Sequence, residues 1–149
     1  SVALLIGIIF DRFIHTIVFL SCYCTLRQFT GGYHAKNYTE CTLTFAAIYL
    51  ITIFVANNID IVSYKYLSIV ILIISMFIIY KLAPLEHRNK PLSNKEKHIY
   101  RITAMKITSF ITMIFIASIV RKIFVEYSIY SLFAVCWIGI LLIVGYYNN

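Results

Sequence analysis

The sequence contains few charged residues, few glycines and few prolines. Charged residues make up 13% of the 149 residues, and the chain has five glycines and two prolines. Ordinary soluble domains carry about 25% charged residues. Hydrophobic residues account for 61% of this chain, and a chain of this size has too much surface relative to its volume to hide them all from water. The composition therefore excludes a soluble domain and predicts a single membrane-embedded domain covering residues 1–149.

Cysteine is also sparse, and its spacing excludes a disulfide framework. The four cysteines are Cys22, Cys24, Cys41 and Cys136, and no two of them form a C-x-x-C pair. Three of them stand inside apolar runs, where cysteine is an ordinary small apolar helix residue. Cys41 differs from these because it follows a polar stretch.

Motifs for several other chemistries are absent. No G-x-S-x-G sequence is present to supply a serine nucleophile. His15, His87 and His98 are isolated in the sequence, whereas zinc requires three or four ligands. We therefore expect no metal ion and no cofactor. Nucleic acid is a poor partner, because the positive charge stands in one short segment without a recognisable binding module.

Six apolar segments are candidates for membrane helices, and a full crossing takes about 20 residues. The segments are Val2–Phe10, Phe13–Leu26, Thr42–Ala56, Tyr66–Leu82, Ile102–Val120 and Tyr127–Tyr147. The last three are clear spans, and we expect the first to be the tail of a span that begins before this chain. The second and third, of about 14 residues each, flank the most polar stretch of the first half. The pattern predicts an all-α, polytopic membrane protein of about six transmembrane helices, with a broken or re-entrant segment between the second and third.

The basic residues predict the orientation in the membrane. The segment Ala83–Arg101, which we expect to be a loop, has an excess of positive charge, whereas the opposite connections are nearly balanced. The basic residues of this segment are Arg88, Lys90, Lys95, Lys97 and Arg101. The positive-inside rule therefore places it in the cytoplasm, and counting back two spans places Arg27–Cys41 on the same side. Membrane lipid headgroups or an acidic peptide are the partners that suit this charge.

The stretch Arg27–Cys41 contains the candidate catalytic residues. Gly31-Gly32 predicts a helix break, since glycine tolerates backbone angles that end a helix. Asn37 with Glu40 three residues later resembles a capping box, which would place the cysteine in or just past the first turn of the next helix. Ionisable residues between membrane helices are costly and by default indicate a functional site.

His34 and Cys41 can form a reactive pair only if the backbone turns between them. On one helix they would share a face but stand about 10.5 Å apart along the axis, and proton transfer needs about 3 Å between heavy atoms. A segment folded back at the diglycine can bring them together, and a helix N-terminus and a nearby histidine both favour the reactive thiolate. From the residues alone, two other interpretations stay open: a polar packing histidine with an inert thiol, or two ligands of a metal site.

The spacing of Arg27, Gly32, His34 and Cys41 resembles the signature of the accessory gene regulator B (AgrB) family, the membrane peptidases of bacterial peptide quorum sensing. A second segment, residues 83–91 with the sequence A-P-L-E-H-R-N-K-P, is similar to a segment of the family. The resemblance extends from the first helix to the last, and the glycine–histidine–cysteine spacing is its specific part.

The resemblance implies a cysteine endopeptidase of the bacterial cell membrane. Such an enzyme cleaves the C-terminal tail from a short, AgrD-like precursor peptide. Cys41 would be the nucleophile and His34 the general base. A cysteine or serine of the precursor would then attack the acyl-thioester on Cys41 and give a cyclic thiolactone or lactone. A homodimer is also implied by the resemblance.

Further residues have supporting roles under this interpretation. Arg27, Gly31 and Gly32 are expected to support the catalytic segment. The residues expected to hold the acidic part of the precursor are Arg88, Lys90, Lys95 and Lys97. The competing class is a non-enzymatic membrane protein, such as a small transporter subunit or a scaffold.

Overall fold

Six α-helices make up most of the described chain. The structure is a computed structural model that describes residues 2–31, 37–86 and 91–148. The helices are α1 (Val2–Ile9), α2 (Phe13–Thr30), α3 (Tyr38–Asn58), α4 (Lys65–Leu82), α5 (Asn94–Arg121) and α6 (Val125–Asn148). Within the described residues no strand is present, and the one extended pairing is a bridge between Gly31 and Leu85. The prediction of an all-α fold is confirmed.

Four of the helices, α3 to α6, are long and apolar enough to cross a membrane. The three clear spans of the sequence are confirmed as α4, α5 and α6. The predicted helices Phe13–Leu26 and Thr42–Ala56 were too short, because α2 has 18 residues and α3 has 21. Hydropathy marks where a helix meets lipid, whereas a helix itself continues through polar residues until its backbone hydrogen bonding ends.

The same reason corrects the predicted loop Ala83–Arg101, because α5 already begins at Asn94. Ser93 and Glu96 form a capping box. The Ser93 hydroxyl accepts from the Glu96 N–H at 3.3 Å, and the Glu96 carboxylate accepts from the Ser93 N–H at 2.8 Å. Two unpaired N–H groups of the first turn are thereby satisfied. The last basic residues of the segment, Lys95, Lys97 and Arg101, therefore lie on a helix.

Helix α6 occupies the centre of the bundle. In its most apolar window 67% of the residues are buried, against 22% to 28% for α3, α4 and α5. It packs against α2, α3, α4 and α5. Gly139 of α6 faces α4, where an added Cβ would lie at an ordinary contact distance of 3.6 Å from the Cα of Ser75. The Trp137 indole N–H donates to the Thr52 hydroxyl at 3.0 Å and so ties α6 to α3.

The outer faces of the bundle are apolar. On α4, for example, Leu67, Ile73 and Phe77 are 56%, 59% and 59% exposed. Contiguous apolar surface of this kind marks contact with another apolar phase. Together with four helices of spanning length, it makes the chain a multi-pass membrane protein.

The connections between helices collect at two ends of the bundle. At one end the turn before α2, the α3–α4 connection and the α5–α6 turn surround a cavity of about 710 Å³, with Arg12, Asp60 and Lys122 among its lining. At the other end lie Gly31, where α2 ends, and Leu85, which follows α4, joined by the single bridge. The described residues of the segment Arg27–Cys41 therefore lie at the end opposite this cavity.

Candidate active site at the ends of α2 and α4

The C-terminal end of α2 is a hydrogen-bonded turn that stops at Gly31. The Arg27 guanidinium donates to the Gly31 carbonyl oxygen at 2.7 Å, and the Gly31 N–H donates to the Arg27 carbonyl oxygen at 3.2 Å. Thr30 is fully buried, and its hydroxyl donates to the Leu26 carbonyl oxygen at 3.0 Å. Gly31 has φ 67° and ψ −137°, a conformation that glycine adopts far more readily than other residues. The predicted helix break is therefore confirmed at Gly31.

The segment after α4 docks on this turn. The Leu85 N–H donates to the Thr30 carbonyl oxygen at 2.9 Å, and Gly31 and Leu85 form the parallel bridge. A Cβ at position 31 would collide with the Leu85 carbonyl oxygen. Glycine is therefore required here both by its backbone angles and by the approach of a second chain segment.

The docked segment is in turn held by α5. The Arg101 side chain donates to the Ala83 carbonyl oxygen at 3.0 Å. Glu86 forms an ion pair with Lys97 at 2.8 Å and accepts from the Leu92 N–H at 3.1 Å. The hydrogen bond from Lys97, and then that from the Leu92 N–H, lower the pKa of Glu86 below its ordinary value of 4.5. These contacts fix the described part of the α4–α5 connection against the end of α2.

Cys41 lies in the first turn of α3, as the sequence predicts. The helix begins after Asn37, whose backbone is extended and whose carbonyl oxygen accepts from the Cys41 N–H at 3.1 Å. The predicted capping box with Glu40 is wrong, because the Asn37 side chain makes no capping hydrogen bond. Both residues are exposed, so water can satisfy the first N–H groups instead. The Cys41 thiol is free and exposed, near the positive end of the α3 dipole.

A small cavity opens beside this thiol where α2, α3 and α6 meet. Its volume is about 160 Å³. The lining residues are Tyr23, Arg27, Cys41, Thr44, Phe45, Ile48 and Leu141. The sequence prediction included Arg27 and Cys41 but not the other five lining residues, which are Tyr23, Thr44, Phe45, Ile48 and Leu141. The lining residues of α3 could have been predicted from their spacing, because positions 41, 44, 45 and 48 lie on one face of a helix.

The remaining predicted site residues divide into two groups. Gly32, His34, Arg88 and Lys90 lie outside the described residues. Lys95 and Lys97 lie in the first turns of α5, where Lys95 is exposed and Lys97 pairs with Glu86. Among the described residues, no group of three His, Cys, Asp or Glu side chains could hold a metal ion.

A comparison of the chain with models of known protein families identifies the family to which it belongs. The family model for accessory gene regulator B matches residues 1–144. The chain belongs to the AgrB family. The two segments that carried the resemblance, one ending α2 and the other following α4, are the two that the Thr30–Leu85 hydrogen bond joins in this AgrB-family chain.

Two AgrB-like proteins of Clostridium perfringens are among the relatives. AgrB-like protein 2 of strain 13 is 30% identical over 125 residues, which are 78% of this chain and 58% of that protein. An AgrB-like protein of strain SM101 is 30% identical over 124 residues, which are 78% of this chain and 57% of that protein. The chain thus spans somewhat more than half the length of these relatives. No solved structure matches it significantly.

Proposed function

We propose that this chain is the membrane-embedded cysteine endopeptidase of a peptide quorum-sensing system. It cleaves the C-terminal tail from an AgrD-like precursor and yields a cyclic thiolactone or lactone peptide. The observation that carries the proposal is the position of Cys41. Its free thiol is exposed in the first turn of α3, at a cavity shared with Arg27 of the turn that ends α2. Membership of the AgrB family supports a role in peptide processing.

The proposed reaction divides the chemistry between two side chains. His34 takes the proton of the Cys41 thiol, and the sulfur attacks a backbone carbonyl carbon of the precursor. The carbon–nitrogen bond breaks as His34 returns the proton to the leaving amine, so the tail departs with a free amino group. The acyl group remains on the sulfur as a thioester. A cysteine or serine of the precursor then attacks this thioester, closes the ring and regenerates the thiol.

The turn at the end of α2 has a positioning role in this proposal. Arg27 holds the Gly31 carbonyl oxygen and also lines the Cys41 cavity. Guanidinium stays protonated at any physiological pH, so Arg27 acts as a hydrogen-bond donor rather than as a base. Gly31, whose positive φ ends α2, supports the catalytic segment in this proposal, and the same role is proposed for Gly32.

The basic residues around the start of α5 are proposed to attract the acidic part of the precursor. Arg88, Lys90 and Lys95 are the candidates for direct contact. Lys97 has a second role, because its ion pair with Glu86 stabilises the segment docked on Gly31. Anionic lipid headgroups are further partners for this charge. We place this end of the bundle in the cytoplasm from the positive-inside rule, and propose a homodimer from the family resemblance.

Precursor cleavage in lipid bilayers tests the proposed function. Wild type, Cys41→Ala, His34→Ala and the control Cys136→Ala are each incubated with an AgrD-like precursor, and the released tail is followed by mass spectrometry. We expect Cys41→Ala to abolish cleavage, His34→Ala to reduce it by about 10²-fold or more, and Cys136→Ala to retain it. Unchanged cleavage by Cys41→Ala would end the assignment.

A second assay separates the enzyme from a non-enzymatic transporter subunit or scaffold. The rate of Cys41 alkylation by iodoacetamide is measured in wild type and in His34→Ala. An activated nucleophile reacts faster than an ordinary thiol, so we expect His34→Ala to slow the labelling of Cys41 and to leave Cys24, the other exposed cysteine, unaffected. Equal rates at Cys41 in both proteins favour the non-enzymatic class.

A further inference from the structure

The cavity beside Cys41 extends from the surface into the helix bundle. It starts at the exposed thiol and continues inward along α3. Exposure falls along this face of the helix, from exposed Cys41 through half-buried Phe45 to Ile48, which is 4% exposed. Positions 41 and 48 are two turns apart, which is about 10.5 Å along the helix axis.

The inner walls of the cavity are apolar and come from three helices. Tyr23 of α2 and Leu141 of α6 are 8% and 7% exposed. The rings of Tyr23 and Phe45 lie 5.2 Å apart, and that of Phe19 lies 5.5 Å from Tyr23. The walls therefore belong to the packed core of the bundle, so the shape of the cavity is fixed by the fold rather than by a surface loop.

The size of the cavity limits what it can hold. Apolar cavities of about 150 Å³ stay dry and admit a benzene ring, and this one has a volume of about 160 Å³. A leucine, methionine or phenylalanine side chain is therefore of suitable size. A cationic side chain is excluded, because the lining contains the Arg27 guanidinium and no carboxylate that could pair with a cation.

We propose that this cavity is the specificity pocket for the residue on the acyl side of the scissile bond, and that it selects a large apolar side chain there. The inference rests on the proposed function. The carbonyl carbon of that residue becomes bonded to the Cys41 sulfur in the thioester, so its side chain stays beside the cavity mouth while the tail leaves. A pocket at this position therefore holds the substrate both during cleavage and during ring closure.

The proposal also gives a reason for the pocket to lie toward the bundle core. An apolar side chain seated between α2, α3 and α6 anchors the thioester at the membrane edge. Anchoring raises the fraction of time in which the precursor's own nucleophile meets the thioester. A seated apolar side chain would also exclude water from the inner part of the cavity, which disfavours hydrolysis.

Peptidyl chloromethyl ketones test the pocket without the natural precursor. The probes differ only in the residue that bears the ketone, which is Ala, Leu, Phe or Lys, and the Cys41 thiolate displaces chloride to form a thioether. Intact-protein mass spectrometry of the chain in lipid nanodiscs gives the alkylation rate. We expect the Leu and Phe probes to react about 10- to 200-fold faster than the Ala probe, and the Lys probe to react slowest.

Two matched variants assign the preference to the cavity. Thr44→Phe adds a ring at a half-buried position in the lining, whereas Thr42→Phe adds the same ring to the same helix turn outside the lining. We expect Thr44→Phe to remove the advantage of the Leu and Phe probes and Thr42→Phe to keep it. Iodoacetamide, which has no side chain to seat, should alkylate Cys41 equally in both.

A third variant works in the opposite direction and does not depend on overpacking. Phe45→Ala enlarges the cavity, so a probe with Trp at the ketone residue should gain relative to the Phe probe. Equal rates for the Ala, Leu and Phe probes at Cys41 would overturn the pocket while leaving the nucleophile in place. Probes that alkylate Cys41 no faster than Cys24 would contradict the proposed function as well.

Discussion

The Leu85 N–H lies 2.9 Å from the carbonyl oxygen of Thr30 and donates a hydrogen bond to it. This contact joins the residue before the glycine break of α2 to the segment that follows α4. The two sequence segments that resemble the AgrB family are therefore neighbours in space. Gly31 also pairs with Leu85 and accepts a hydrogen bond from Arg27, which lines the Cys41 cavity, so a chain of contacts connects Leu85 to that cavity.

Gly31→Ala tests this contact. The added Cβ meets the Leu85 carbonyl oxygen, and the positive φ of 67° adds backbone strain of about 1–3 kcal/mol. We expect precursor cleavage to be lost while helical content by circular dichroism stays near that of wild type. Gly139→Ala is the matched control, because its Cβ would lie at an ordinary 3.6 Å from Ser75. Equal activity of the two variants would contradict the importance of the contact.

Arg27→Lys tests the donor that closes the turn. Lysine keeps the charge but lacks the planar fork that reaches the Gly31 carbonyl oxygen. A hydrogen bond from a charged donor contributes about 1.5–3 kcal/mol, so we expect kcat/KM for precursor cleavage to fall about 10- to 150-fold. Arg12→Lys, at the other end of α2, should leave kcat/KM unchanged. The role is refuted if Arg27→Lys cleaves at the wild-type rate.

The Glu86 ion pair predicts a dependence on pH. Because Lys97 and the Leu92 N–H lower the pKa of Glu86 in the folded state, the stabilisation is complete above the ordinary pKa of 4.5 and is lost as the pH falls through the lowered value. Hydrogen exchange at the Leu92 amide, corrected for the intrinsic rate, should show protection at pH 7 that disappears in strong acid and in Glu86→Ala. The Ala83 amide, bonded to the Ile79 carbonyl oxygen, is the control and should stay protected throughout.

Orientation in the membrane can be measured with a membrane-impermeant maleimide. In intact cells, and with Cys24 replaced by alanine, we expect added reagent to leave Cys41 unlabelled until the membrane is permeabilised. Val62→Cys, in the exposed connection between α3 and α4, should be labelled from outside in a Cys41→Ser background. Labelling of Cys41 in intact cells would place the site on the outer side and contradict the positive-inside prediction.

Several features were predictable because they depend on local properties of the chain. Three spans follow from hydropathy, and the end of α2 follows from the backbone freedom of Gly31. The start of α3 just before Cys41 follows from the polar stretch that precedes it. The start of α5 was missed, because its first turns are too polar to enter lipid although Ser93 and Glu96 supply a helix cap.

By itself, the sequence determined that the chain is a helical membrane protein with one cysteine at a helix start, since hydropathy and backbone conformation act over a few residues. Only the tertiary structure decided that Leu85 meets Thr30, that Arg27 and Leu141 border the same cavity as Cys41, and that α6 is the central helix. These contacts join residues far apart in the chain. They exist because all the helices must pack at once, a condition that no single segment carries in its own sequence.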